Sequence, residues 1–316
     1  METGPGNGGR SLRAIRRPTV VARLVVWIAL VLSMIQLPLF TAADHLDESW
    51  HQALHYAVVQ GWQAGRDYVF SLGPLGFLYA RAYEPRLFGI RVGWAVLIAS
   101  VAATVFLLSA SQLVGRYRRG LFLVTLWIFC SIPDVVLMLV LLFGTRLLLR
   151  PERPKPGWLG LWILLCSVLA LIKFSLFVQA CLCVGALAAS LVRRGRWRQG
   201  ILCLASAAMS VMALWIGIGQ AILNFPGYLR GSFSLAAGYD GAMALAGASR
   251  EVHLALVAMA ACVAGLLVGV DRPKHASRRE DRLLDALGVS FLFLAWKHGF
   301  VRQDGHVLVF FSFSLP

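Results

Sequence analysis

The sequence predicts an all-α fold, a polytopic transmembrane helix bundle of about ten helices with an interfacial amphipathic helix in its first outside loop. Three observations predict it. The chain is 59% hydrophobic and only 14% charged, whereas a globular domain is roughly 45–50% apolar and about 25% charged. Apolar blocks recur from Val20 to the last residue, and several approach the ~20 residues a helix needs to cross a bilayer. The basic residues, finally, come in short clusters between those blocks. The blocks are spread too evenly to leave room for a soluble domain. The clustering of the cations argues against nucleic acid as the partner of this chain, despite its net charge of +15.

Taken in order, residues 1–19 are Gly-rich, then Arg-rich, and read as a disordered basic cytoplasmic tail. Residues 20–316 read as one transmembrane domain. The first helix is expected over Val20–Thr41. Its apolar run exceeds the ~7–15 residues of a signal-peptide core, so it reads as a retained helix. Further helices are expected at Val92–Val114, Leu121–Ile132, Val135–Leu149, Trp158–Ile172, Phe174–Val192, Ile201–Ala221, Val252–Val270 and Leu283–Trp296, with a last one from Val307. Pro133 in "SIPD" breaks one long apolar stretch, and "IKFS" around Lys173 interrupts another. Each stretch has basic clusters on both flanks, so each reads as two short helices joined by an outside hairpin. Residues 222–251 read as an outside loop.

Orientation follows from charge. "RYRR" at Arg116, "RPERPK" at Arg150, "RRGRWR" at Arg193 and "DRPKHASRREDR" at Asp271 all fall on the side of the N-terminus if each block crosses once. Positive residues in short loops mark the cytoplasmic side. The whole +15 surplus then lies inside, while cations and acids outside balance. The expected location is the inner (cytoplasmic) membrane, multi-pass, N-terminus in. The last ten residues reach only about 15 Å as a helix, half the hydrocarbon thickness, so a truncated C-terminus is expected. The six cysteines all lie inside apolar blocks without a CxxC pattern and read as small apolar residues.

The outside loops carry the chemistry. In "HLDESWHQALHY", His45–Tyr56, two adjacent carboxylates and three histidines follow directly on an apolar block. Trp50, Leu54, Ala57, Val58 and Trp62 recur at helical spacing, which predicts an amphipathic helix lying along the membrane surface. Asp47 stands where an N-cap would, so its carboxylate has a purely structural reading as well. His51 and His55 share a face at i and i+4. That spacing suits a metal, but it lacks a third strong ligand and reads better as surface histidines. Downstream, "GWQAGRDYVFSLGPLGFLYA" ends the helix at Gly61 and Gly65, sets Arg66 beside Asp67, and turns at Gly73-Pro74. The last outside loop, "WKHGFVRQDGHV", crowds Lys297, His298, Arg302, Asp304 and His306 between apolar blocks. Ionisable groups at membrane depth are expensive and read by default as functional.

These residues carry a resemblance. Asp47-Glu48 after the first helix, an amphipathic helix ending in glycine, then Asp67 and Gly73-Pro74-Leu75, resemble the first periplasmic loop of GT-C superfamily glycosyltransferases that use polyprenyl-phosphate sugars, in a glycosyltransferase family 39-like pattern. Lys173 in "LALIKFSLF" resembles a lysine of that group. The chain departs from the pattern with Lys173-Phe174-Ser175 in place of K-G-P, and with "GPLG" for a double proline. The resemblance implies transfer of a sugar from a polyprenyl-phosphate donor, with inversion, to a cell-envelope glycan, lipid or protein acceptor on the outer face. It implies Asp47 as general base, Glu48 and Asp67 as groups that position the acceptor or hold a divalent cation, and Lys173, Arg302, Lys297 and His298 as the cations that meet the leaving phosphate. Arg66, Asp304 and His306 are further site candidates, and no metal is assigned. Membrane lipids are the remaining expected partners. The competing reading is a transporter or lipid-handling protein without chemistry. Transporters tend to place binding groups near the midplane on broken helices, whereas these candidates gather at one face.

Overall fold

Helices in this chain begin and end where apolar runs meet proline, glycine or clustered charge. The computed structural model describes residues 20–40, 46–150, 155–268 and 278–316, and within these the side chains of all but 46–48 and 278–281. In chain order the helices are α1 (Val20–Met34), α2 (Leu46–Val59), α3 (Phe88–Gln112), α4 (Arg116–Phe129), α5 (Pro133–Leu149), α6 (Pro156–Ile172), α7 (Phe174–Arg193), α8 (Trp197–Gly217), α9 (Phe225–Met243), α10 (Ser249–Val268), α11 (Arg278–Phe300) and α12 (Val307–Ser314). Pro133 and Pro156 open α5 and α6, where the missing N–H costs no intrahelical bond. Among the described residues there is no β-strand, only isolated bridges. The tail at 1–19 lies outside the described residues.

Five helical segments are long and apolar enough to cross a membrane: α3, α7, α8, α10 and Arg282–Phe300 of α11. α1 and α6 are apolar but shorter. The breaks expected at "SIPD" and "IKFS" are both present, and α6 folds back along α7. α5 is the axis of the bundle. Its run from Asp134 to Leu141 is buried throughout, and it packs on α3, α6, α7, α11 and α12. The outward faces of α8 and α10 carry exposed Ile201, Leu202, Leu204, Leu254, Val257 and Leu267. So large an uncovered apolar area suits contact with lipid rather than water.

The two ends of the bundle differ. At one end the C-termini of α3, α5 and α7 meet: Arg150 donates to the Gln112 carboxamide, and Arg194 donates to the Leu149 carbonyl at 2.5 Å. The "RYRR" and "RRGRWR" clusters flank the same connections. At the other end lie the start of α5, the α6–α7 break, the C-terminal end of α11 and the long loop before α3.

Two expectations need correction. The stretch 222–251 is not a simple loop, since Phe225–Met243 forms a 19-residue helix. Its glycines obscured the helical period, but Tyr228 and Ser232 are buried one turn apart. Tyr228 and Phe225 pack on the ring of Trp215, at 5.4 and 5.0 Å between centroids. His55 is likewise not a surface histidine. It is 2% exposed, with Nε2 3.4 Å from the Phe77 carbonyl, because α2 packs down onto the short 3-10 turn Gly76–Leu78.

Candidate functional site

A single extended residue separates α6 from α7. Lys173 has φ −146° and ψ 138°, and the loop before α3 pairs with this break. The Gly73 N–H donates to Ile172 O at 2.9 Å, Leu75 N–H to Leu171 O at 3.0 Å, and Phe174 N–H to Ser71 O at 2.9 Å. Backbone groups left free by the helix break are thus satisfied by the loop. Gly73 is required by this approach, since a Cβ there would run into the Leu171 carbonyl and the Tyr228 hydroxyl. The "GPLG" turn therefore fixes where the following 3-10 turn sits, and with it Tyr79.

The Lys173 side chain points at Asp134. Its Nζ donates to Asp134 Oδ1 at 2.7 Å, and the two side chains are only 13% and 10% exposed. The Tyr79 hydroxyl donates to Asp134 Oδ2 at 2.8 Å. His298 Nε2 stands 3.6 Å from the same oxygen. Lys173 Nζ also lies 5.1 Å from the centre of the Tyr79 ring. Asp134 follows Pro133 in the first turn of α5, where the helix dipole favours an acid. Four side chains from four separate segments thus close one charged cluster at the end of an apolar bundle.

The segment after α11 forms a second polar layer beside it. Leu245 N–H donates to Val301 O at 3.0 Å and Gln303 N–H to Leu245 O at 2.9 Å, which ties the end of α9 to this loop. Asp304 accepts from the His306 N–H at 3.0 Å and from Arg302 Nε at 3.1 Å, with His306 Nδ1 also on its Oδ1. The His306 backbone N–H foremost, then the His306 ring and Arg302, hold the Asp304 carboxyl down at about 2. The rings of His306 and His298 are 6.3 Å apart, so the two layers touch.

The candidates read from the sequence divide into groups. Lys173 and His298 meet at Asp134, and Arg302, Asp304 and His306 adjoin them. Lys297 turns elsewhere, with Nζ 3.5 Å from Asp240 on an exposed surface. Arg66 and Asp67 form a separate exposed turn, paired at 2.8 and 3.0 Å, with the Gln63 N–H on Asp67 Oδ2 at 2.8 Å. Among the described residues, nothing bonds this pair to the Asp134 cluster. That turn docks instead on the α8–α9 connection, where the Gln220 and Gln63 carboxamides accept from Ala64 N–H and Ala221 N–H, each at 2.7 Å. The backbone of Asp47 and Glu48 lies in the first turn of α2, and their side chains lie outside the described residues. α2 begins at Leu46, so Asp47 is one residue inside the helix rather than at its cap.

Two members of the cluster were not singled out in the sequence. Asp134 carries a usable signal, being the one acid between Glu84 and Glu152. A lone carboxylate in so long an apolar stretch reads as functional, but Pro-Asp at a helix start also reads as ordinary helix initiation. Tyr79 carries no signal, and only the loop pairing brings it to Asp134. Among the described residues, no group of three or more His, Cys, Asp or Glu side chains could share a metal ion. No family model, curated protein or solved structure matches the chain.

Proposed function

We propose that this protein is an integral membrane glycosyltransferase of the GT-C kind, moving a sugar with inversion from a polyprenyl-phosphate donor to a cell-envelope glycan, lipid or protein acceptor. In this reading the chain crosses the cytoplasmic membrane about ten times with its N-terminus inside, and the site faces outward. The observation that supports the reading is the convergence of Lys173, His298 and the Arg302–His306 loop. Lys173 is more than a hundred residues from the 298–306 stretch, yet the two contain most of the phosphate-binding candidates and meet at the end of the bundle away from the described basic clusters.

The chemistry asks two things of the protein. A base must take the proton of the acceptor hydroxyl, and cations must meet the charge that grows on the departing phosphate. Asp47 is the proposed base, with Glu48 and Asp67 positioning the acceptor or a divalent cation. Lys173, His298 and Arg302 are the proposed electrostatic partners of the phosphate, and Lys297, engaged with Asp240 on an exposed surface, is set aside. Asp134 adds a condition. At rest it balances Lys173, so an arriving phosphate must compete with it for the ammonium group.

The test is Asp47→Asn. General-base catalysis is worth about 10²–10⁴ in rate, and asparagine has nearly the same size and helix propensity as aspartate. Sugar transfer should fall by at least that order while protein abundance stays near wild type. Wild-type transfer by Asp47→Asn would remove the base assignment. Movement of the lipid-linked sugar across the bilayer, with no glycosidic bond formed, would establish the transporter reading instead.

A further inference from the structure

A second polar feature lies outside the Asp134 cluster and is not used by the proposed reaction. Between α1, α3 and α5 runs a narrow groove, half open to the outside. Its walls are mostly apolar, with Met34, Trp94, Ile98, Val136 and Leu137 among them, and Arg91 and Gln36 are its polar members. Arg91 is 2% exposed. It donates through Nη1 to the Leu78 carbonyl, yet its Nε has no hydrogen-bond partner, and neither has the Gln36 Oε1. Among the described residues, no carboxylate pairs with it.

Arg91 also has a like-charged neighbour. Arg81 is close enough for the two charges to repel, its own Nε is buried and unpartnered, and its guanidinium sits 4.5 Å over the Phe40 ring. Two guanidinium groups near each other, one buried and neither with a counter-acid among the described residues, are costly unless an anion joins them. Guanidinium donors match phosphate oxygens in geometry and charge. The apolar walls beside them match a hydrocarbon chain.

We infer that the groove between α1, α3 and α5 binds the phosphate of a glycerophospholipid, with Arg91 on the headgroup and an acyl chain along Trp94, Ile98 and Leu137. The bulk lipid is favoured over the reaction's own donor for two reasons on the molecule. Ile28, Leu32, Ile90 and Leu97 of α1 and α3 are exposed, so these helices present an apolar surface of the kind a bilayer contacts. Tyr79 lines the groove while its hydroxyl is bonded to Asp134, so it stands between the groove and the charged cluster. The bound lipid would hold α1 against α3 and α5 and supply the missing counter-charge.

The experiment is native mass spectrometry of the full chain released from detergent, with dioleoylphosphatidylglycerol, dioleoylglycerol, farnesyl phosphate and inorganic phosphate as separate probes. The expected result is a retained phosphatidylglycerol adduct, no dioleoylglycerol adduct, and no displacement by farnesyl or inorganic phosphate at equal concentration. Arg91→Gln should reduce the adduct at least tenfold, and Arg91→Lys should retain most of it. Ile98→Trp fills the groove without touching the arginine and should give the same loss with the helical circular dichroism unchanged, which keeps the test valid if Arg91→Gln fails to fold. An adduct that survives Ile98→Trp overturns the inference. Equal retention of dioleoylglycerol, or displacement by farnesyl phosphate, overturns it too, the latter by assigning the groove to an isoprenoid phosphate.

Discussion

Asp134 and Lys173 show how one residue can be both structural and a site member. Taking two charges out of water is expensive, and removing one of a buried pair leaves the other uncompensated, at about 3–5 kcal/mol. Asp134→Ala should therefore lower abundance sharply and destabilise the purified protein by that order. The double variant Asp134→Leu, Lys173→Met removes both charges and should recover most of the stability, because apolar replacement of a buried pair is often neutral. Thermal unfolding of the two variants checks this, and a double variant as unstable as the single one would contradict it. In the proposed reaction the recovered double variant should still fail to transfer sugar.

His55 is a residue-scale case with a pH signature. Burial foremost, with Arg91 adding to it, lowers its pKa from the ordinary 6.5, against the opposing pull of the Phe77 carbonyl and Glu84. A lowered value means that the folded form resists protonation. Above pH 6.5 both folded and unfolded chains carry it neutral, and its packing contribution is complete. As pH falls below 6.5 the unfolded chain takes up the proton first, so stability is lost until the folded-state value is reached. Melting temperatures measured between pH 7.5 and 5 should fall, and His55→Gln should flatten that part of the profile.

At the scale of elements, the long loop before α3 is held, among other points, at the α6–α7 break and at the start of α9. Gly65 serves the second: its φ is +84°, and a Cβ there would strike the Tyr228 backbone N–H group. Gly65→Ala combines a left-handed conformation that alanine adopts poorly with a backbone collision. It should free the Arg66–Asp67 turn from α9 while leaving the transmembrane helices folded. Limited proteolysis should then cut within 61–72 in the variant and not in the parent, with no change in the helical circular dichroism. Cleavage at the same rate in both proteins would show that the turn is held by other contacts.

For the whole molecule, charge distribution and shape point the same way. The described basic clusters at Arg116 and Arg193 lie at one end and the Asp134 cluster at the other, as expected if the short basic loops stay in the cytoplasm. With the six native cysteines replaced, Gly305→Cys should react with an impermeant thiol reagent applied to intact cells. Arg198→Cys should react only after permeabilisation. The reverse pattern would invert the molecule and place the cluster on the cytoplasmic face.

The sequence by itself determined the all-α class, most helix positions, the two breaks at Pro133 and Lys173 and the segregation of charge. These depend on local properties: apolar run length, proline geometry and the cost of placing charge in an apolar layer. It also marked Lys173, His298, Arg302, Asp304 and His306, since ionisable groups stand out against apolar surroundings. It did not determine which of them meet. Lys173 and His298 are joined only because the axial helix α5 brings Asp134 between them, and Lys297, next to His298 in sequence, faces Asp240 on another side of its helix. The helix at 225–243 and the burial of His55 and Arg91 were also tertiary decisions. In each, the deciding contact comes from a different element of the fold: Trp215 and Gly65 for α9, Phe77 for His55, Leu78 for Arg91. A local reading has no term for such partners, because their approach depends on how helices pack and loops close rather than on the residues next to them.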